Sequence, residues 1–217
     1  MIMKVNEIFT SIEGEGIRAG RLCTFIRFTG CNLRCSWCDT RYAFEEGREM
    51  SVSEILDTVP KDAKCITVTG GEPLLQDREA LSELTNSLIS RGAEVNFETN
   101  GSVDFTDLMK DGTIITADYK LPSSGMSSKM DMTSLSMLRE CDVLKFVAAD
   151  DADLADTERV LKELMPVCHV FISPVFGRMD PKRLVEWLKG YAFKDKMDIR
   201  IQIQLHKAVW PPDARGV

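Results

Sequence analysis

Three cysteines, Cys31, Cys35 and Cys38, fall within eight residues as C-x3-C-x2-C, in the run Cys31-Asn32-Leu33-Arg34-Cys35-Ser36-Trp37-Cys38. Three thiolates on one short loop can ligate three irons of a cubane and leave the fourth without a protein ligand. A redox-active metal then keeps an open coordination position. The competing use of clustered cysteines is structural zinc, which takes four ligands, usually two C-x2-C pairs or one pair with histidines. No fourth ligand is near: Cys23 and Cys65 lie in apolar strand-like runs, and His169 and His206 are remote in sequence. Trp37, just before the last cysteine, puts a ring where it could shield a cluster or lie against a flat ligand.

Other polar motifs interrupt the apolar pattern. In Thr69-Gly70-Gly71-Glu72-Pro73 the glycine pair would serve an ordinary tight turn, but it also lets backbone approach a ligand, and Glu72 beside it can accept a hydrogen bond from an ammonium. Glu98-Thr99-Asn100-Gly101 has the form of a turn, and Asn100 offers both a donor and an acceptor, suited to a carboxylate or a ribose. Glu13-Gly14-Glu15-Gly16 is a poor phosphate loop, because its acids repel phosphate and no clear helix follows. It reads first as a flexible surface loop, although acids and free amides suit the donor-rich edge of a guanidine-containing heterocycle. Arg27, flanked by Phe25, Ile26 and Phe28, must face a polar cavity or a carboxylate, and an anionic ligand is the expected partner. Asp39-Thr40 is ordinary capping chemistry, yet a hydroxyl can complete the shell of a magnesium ion already held by substrate oxygens. Cys23, Cys65, Cys141 and Cys168 read as small core residues. His169 opens an apolar strand and reads as structural; His206 is expected to close one, with access to a ligand.

The elements that must position these residues alternate. Met3 to Phe9 and Leu22 to Phe28 read as strands, and Ser51-Val52-Ser53-Glu54 is a capping box opening a helix to Val59. A strand from Cys65 to Thr69 precedes a helix from Arg78 to Arg91 with leucines at 81, 84 and 88, closed by Gly92. Strands at Ala93 to Glu98, Thr113 to Tyr119, Val143 to Ala148, His169 to Ser173 and Ile199 to Leu205 follow. Helices are expected near Ser134 to Glu140, Asp153 to Leu164 and Pro181 to Leu188. This alternation predicts an α/β fold: a partial, open TIM-like barrel of about six parallel strands with helices outside and an extra N-terminal strand at its edge. Ligands collect at the carboxyl ends of such strands, where the polar motifs fall.

The chain has 217 residues, 44% of them apolar and 28% charged, which predicts one compact domain over 1–217. A formal charge of −7, with no basic run longer than a pair, disfavours nucleic acid or an anionic membrane as partner and favours a small molecule. Seven cysteines, three crowded and four scattered, do not form a secreted disulfide scaffold. With no signal-like start from Met1 to Asn6 and no long apolar run, a reducing cytoplasm is expected.

The cysteine loop with its aromatic resembles the radical S-adenosylmethionine (SAM) enzymes. Several further segments narrow the resemblance: Ser11 to Gly16, Asp39-Thr40, Thr69 to Leu75, Glu98 to Gly101, and the tail Gln204-Leu205-His206-Lys207 with Asp213-Ala214-Arg215-Gly216-Val217. Together they look like the 7-carboxy-7-deazaguanine synthase family over essentially the whole chain. The resemblance implies a radical SAM core and a lyase that converts 6-carboxy-5,6,7,8-tetrahydropterin to 7-carboxy-7-deazaguanine with loss of ammonia, on the route to queuosine and archaeosine. It implies a 4Fe-4S cluster on Cys31, Cys35 and Cys38, SAM as a regenerated cofactor, and Mg2+ on Thr40. SAM contacts would fall on Trp37, Asp39, Gly71, Glu72, Asn100, Asp118, Tyr119, Lys120, Ser173, Pro174, Val175 and Phe176. Substrate contacts would fall on Ile12, Glu13, Gly14, Arg27, Thr69, His206 and the carboxylate of Val217, although this tail runs eleven residues past His206. A flavodoxin- or ferredoxin-like one-electron reductant and a homodimer are implied as well. Two other functions fit the cysteine loop alone. One is an activase generating a glycyl radical on a partner enzyme; the other is a non-enzymatic zinc module.

Overall fold

A computed structural model describes residues 2–211 and 214–217; Met1 and Asp213, used above, lie outside the described residues. Among the described residues nine strands form one sheet: β1 (Ile2–Ile12), β2 (Leu22–Phe28), β3 (Arg48–Ser51), β4 (Cys65–Gly70), β5 (Glu94–Thr99), β6 (Thr113–Tyr119), β7 (Val143–Ala148), β8 (His169–Pro174) and β9 (Ile199–Ile201). The spatial order is β3-β1-β2-β4-β5-β6-β7-β8-β9. From β2 through β4 to β9 the strands are parallel, seven in all. β1 runs antiparallel to β2 and β3. The N-terminal strand is therefore one place in from the edge expected for it, because Arg48 to Ser51 pairs along its outer side, Val5 against Arg48 and Ile2 against Ser51.

The helices are α1 (Val52–Thr58), α2 (Arg78–Ser90), α3 (Met132–Leu135), α4 (Asp151–Leu164), α5 (Pro181–Gly190) and α6 (Leu205–Val209). Ser51 and Glu54 make both bonds of the capping box at α1. Asp77 caps α2, whose Leu81, Leu84 and Leu88 are buried, and Gly92 beyond it has φ 77°. Two expectations changed. The helix near Ser134 to Glu140 is only Met132–Leu135, started by Asp131 accepting from the amides of Thr133 and Ser134. β9 ends at Ile201, and the chain enters α6, so His206 sits on a short helix and not at a strand end.

The apolar core lies between the sheet and the helices. Ile66, Val68, Val95, Phe97, Ile115, Leu144, Phe146, Val170 and Ile172 share it with Leu81, Leu84 and Leu88 of α2 and Leu154 and Leu161 of α4. Alternation along each strand then turns the intervening residues to the barrel interior. These are Arg27, Thr67, Thr69, Asn96, Glu98, Thr116, Asp118 and Lys145. Closed barrels of this kind fill that space with branched apolar side chains; this one lines it with polar groups. Low in the interior, Cys23 and Cys65 on adjoining strands are joined in a disulfide beneath Phe25, which corrects their reading as separate core residues. Among the described residues no helix is long and apolar enough to cross a membrane.

Candidate functional site

A cavity of about 770 Å³ opens at the carboxyl ends of the strands. Cys31, Cys35, Cys38 and Thr40 line it, as do all seven expected substrate residues: Ile12, Glu13, Gly14, Arg27, Thr69, His206 and Val217. Of the expected SAM residues, Trp37, Asp39, Gly71, Asn100, Asp118, Lys120, Val175 and Phe176 line it too.

The cysteine loop leaves β2 through Gly30 and is fastened by the turn after β4. Gly71 N–H donates to Phe28 O at 3.2 Å and Glu72 N–H to Gly30 O at 2.7 Å. A Cβ on Gly71 would lie 2.2 Å from Gly30 O, so only glycine permits this approach. The three thiols are free. Leu33 N–H points at Cys31 Sγ from 3.4 Å, and Asn100 Nδ2 stands 3.8 Å from the same sulfur. Among the described residues, no three His, Cys, Asp or Glu side chains converge where a single metal ion would sit. Three free thiols spread around one loop, with N–H donors at the Cys31 sulfur, match a cubane, where each thiolate takes a different iron and amides hydrogen-bond the sulfurs.

Glu72 is corrected. Its carboxylate is fully buried and does not reach the cavity. It accepts from Leu74 N–H at 3.1 Å, Asn100 N–H at 2.7 Å and the Thr99 hydroxyl at 2.9 Å, stapling the turn after β4 to the turn after β5. Burial pushes it up to about 7, even against those donors.

The Glu13 to Gly16 loop is not a loose surface loop. It bridges the gap between the first and last parts of the sheet. Gly16 N–H donates to Gln202 Oε1 at 2.8 Å, and Leu205 N–H to Gly14 O at 3.1 Å. His206 packs directly on Gly14, where a Cβ would meet Nδ1 at 2.1 Å; burial lowers the pKa of its imidazole. Glu13 is buried. Thr67 Oγ1 donates to its Oε2 at 2.6 Å, and Arg18 lies at 3.4 Å. Burial, then the charge of Glu98, pushes Glu13 up to about 7. Glu15 pairs with Lys145 on β7 at 2.5 Å.

On the opposite wall, Asp118 Oδ2 takes Lys120 at 3.0 Å, and Lys120 lies over the Trp37 ring. Asp118 Oδ1 is buried without a partner, the kind of acceptor that a ribose hydroxyl would satisfy, so the wall fits SAM. Tyr119, one residue on, points outward. It is buried against Phe146 and receives a hydrogen bond from Arg159, which corrects its placement as a SAM contact. After β8, Val175 and Phe176 reach the cavity. Ser173 is fully buried beneath it, with Oγ unpartnered, and Pro174 faces a neighbouring apolar groove; neither lines the site as expected.

Arg27 has a protein partner, Glu7 Oε1 at 2.7 Å, so the anionic ligand expected for it shares the guanidinium with a carboxylate. Tyr42 donates to the same Glu7 oxygen at 3.1 Å, and Arg215 stacks on the Tyr42 ring at 3.9 Å while pairing with Glu46. This clasp brings Val217 to the cavity. Thr40 donates to Asp39 Oδ1 at 2.9 Å, and Lys207 holds Asp39 Oδ2 at 2.7 Å. Sequence reasoning assigned nothing to Lys145, Glu7, Tyr42 or Lys207. Lys145 interrupts Val143 to Val147 as Arg27 interrupts β2, so the same signal was present; the others carry none, since their partners are remote in the chain.

A model of the radical SAM superfamily matches residues 25–118. The 7-carboxy-7-deazaguanine synthase of Clostridium acetobutylicum is 41% identical, with 100% of both chains covered. That of Methanospirillum hungatei JF-1 is 41% identical over 97% of this chain and 86% of its own. In fold the chain resembles the crystal structure of QueE from Escherichia coli, with a TM-score of 0.77 at 22% identity over 95% of each chain.

Proposed function

The chain belongs to the 7-carboxy-7-deazaguanine synthase family of the radical SAM superfamily, and from that premise we propose how its residues divide the work of converting 6-carboxy-5,6,7,8-tetrahydropterin to 7-carboxy-7-deazaguanine. Cys31, Cys35 and Cys38 hold the 4Fe-4S cluster that the superfamily implies. With SAM beside it, the cluster supplies radical hydrogen abstraction when bound. Asn100, Gly71 and Asp118 orient SAM from the near and far walls, with Lys120 fixing Asp118 and lying against Trp37.

The pterin lies between the Ile12 to Gly14 loop, Arg27, Thr69 and His206, with the Val217 carboxylate at the open side. Arg27 receives the substrate carboxylate, and Glu7 with Tyr42 sets its angle. The Ile12 to Gly14 backbone and Glu98, which lines the chamber beside Thr69, meet the donor-rich pyrimidine edge. Thr40 Oγ1, with the Asp39 carboxylate to which it donates, is the hard-oxygen pair that would hold a magnesium ion beside the substrate, where the ion would supply positive charge to the substrate's oxygens. The walls exclude water from the reacting centre. We further infer one domain over 1–217, a homodimer, a flavodoxin- or ferredoxin-like reductant and a cytoplasmic setting suited to an oxygen-sensitive cluster.

The observation that carries this reading is that three free thiols and seven candidate substrate residues line one polar chamber. The test is anaerobic incubation of the reduced, iron-loaded protein with SAM, Mg2+ and the carboxypterin, with product detection by mass. Deazapurine should form. Its absence with full iron loading would refute the assignment, and SAM cleavage only with a partner polypeptide would favour an activase.

A further inference from the structure

We propose that Lys145 is a positioning residue for the substrate, acting through Glu15 to hold the Ile12 to Gly16 loop against the opposite wall of the barrel. The proposal rests on the function given above, since the loop matters only if it meets the pterin. Glu15 lies between Gly14 and Gly16, and Gly16 has φ 69° with open space where a side chain would be, so the loop has little conformational preference of its own. On the near side the loop is fixed by Glu13, which accepts from Gly14 N–H and Thr67 and pairs with Arg18, and by backbone bonds of Glu13 to Gly20 and Arg21; its ties toward the last strands are neutral bonds to Gln202 and Leu205. Glu15–Lys145 is the charged tie to the far wall, and it crosses 130 residues of sequence with both side chains about nine-tenths buried.

Each partner needs the other. Asp118 stands 3.6 Å from Lys145 but is engaged by Lys120 at 3.0 Å, so Glu15 is the nearest anion to Lys145. Glu15 Oε1 has no partner among the described residues, which leaves Oε2 as the oxygen that fixes the side chain. A buried carboxylate deprived of its cation would turn toward water, and the two glycines beside it would let the loop follow. Burial lowers the pKa of Lys145, but Glu15, then Asp118 and Glu98, more than offset it and hold the ammonium protonated, so it acts as a fixed charge and not as an acid.

The experiment uses the iron-loaded protein with Lys145→Met, Lys145→Arg, Glu15→Gln and the Met/Gln double variant. KM is measured separately for the carboxypterin and for SAM, alongside iron content and thermal midpoint. Lys145→Met and Glu15→Gln should each raise the carboxypterin KM by about tenfold or more, equivalent to ~1.4 kcal/mol. The SAM KM and iron content should stay within about twofold of wild type. Lys145→Arg should recover most of the loss, and the double variant should be no worse than the poorer single one, as for two residues acting as one tie. The proposal is overturned if both KM values rise together, if Arg does no better than Met, or if the singles add. Should Lys145→Met not fold, Glu15→Gln decides alone, and an unchanged carboxypterin KM there also overturns it. Wild type that makes no deazapurine refutes the function itself; active wild type with unaffected variants refutes only this role.

Discussion

Replacing Glu72 by glutamine separates the roles of burial and hydrogen bonding at the staple beneath the cysteine loop. The buried carboxyl titrates at about 7 against an ordinary 4.5. That difference makes its ionisation unfavourable to the fold by ~3 kcal/mol. Because the folded value is raised, the folded protein binds the extra proton between these pH values. This contribution is fully present below about pH 4.5 and is lost as pH rises through about 7. Glutamine cannot ionise, so its fold escapes that loss. It also has one acceptor oxygen where Leu74 N–H, Asn100 N–H and the Thr99 hydroxyl all donate, and an unmatched buried N–H costs ~1–3 kcal/mol. In urea unfolding of the iron-free chains, Glu72→Gln should be less stable than wild type by ~1–3 kcal/mol at pH 5 and should equal or exceed it at pH 8. Glu13, also raised to about 7, is present in both proteins and cancels in the difference. A stability gap that does not change with pH would show that Glu72 stays ionised throughout, and the reasoning from burial would fail.

Gly71→Ala should lower iron content and chemical stability together, because its Cβ would lie 2.2 Å from Gly30 O, a backbone atom that cannot turn aside; normal iron loading would contradict this. Cys35→Ala should abolish the charge-transfer absorption and product formation, while the far-ultraviolet circular dichroism stays that of wild type; retained activity would rule out the cluster. Arg215→Gln removes the stack on Tyr42 and the pair with Glu46, and should raise the carboxypterin KM by a factor of about five through loss of a partly exposed cation–π contact of ~1 kcal/mol. An unchanged KM would mean that the tail needs no clasp. Thr40→Ala should weaken the magnesium dependence of turnover without altering the iron spectrum; loss of that spectrum would make Thr40 a structural residue.

The cysteine spacing, the glycine pair and the strand-helix alternation were legible in the chain because each is a local pattern: ligands on one loop, backbone that must pass close, and apolar periods of two and of 3.6. Those same patterns set the parallel sheet and placed the polar motifs at its carboxyl ends. The side chains that reach the cavity were less legible. Glu72 and Tyr119 stand in the right segments, but one is consumed by three donors and the other is turned outward by strand alternation. His206 moved because β9 stops after three residues and the chain coils into α6 over the loop that opens the protein. Local sequence thus determined the chemistry at the mouth of the barrel, since thiols within eight residues share one loop in almost any fold. Only the tertiary structure decided which charges pair across it, Glu15 with Lys145 and Asp39 with Lys207, because partners 130 and 168 residues apart become neighbours only when the sheet has curled, whereas Arg27 meets Glu7 through the β1–β2 register.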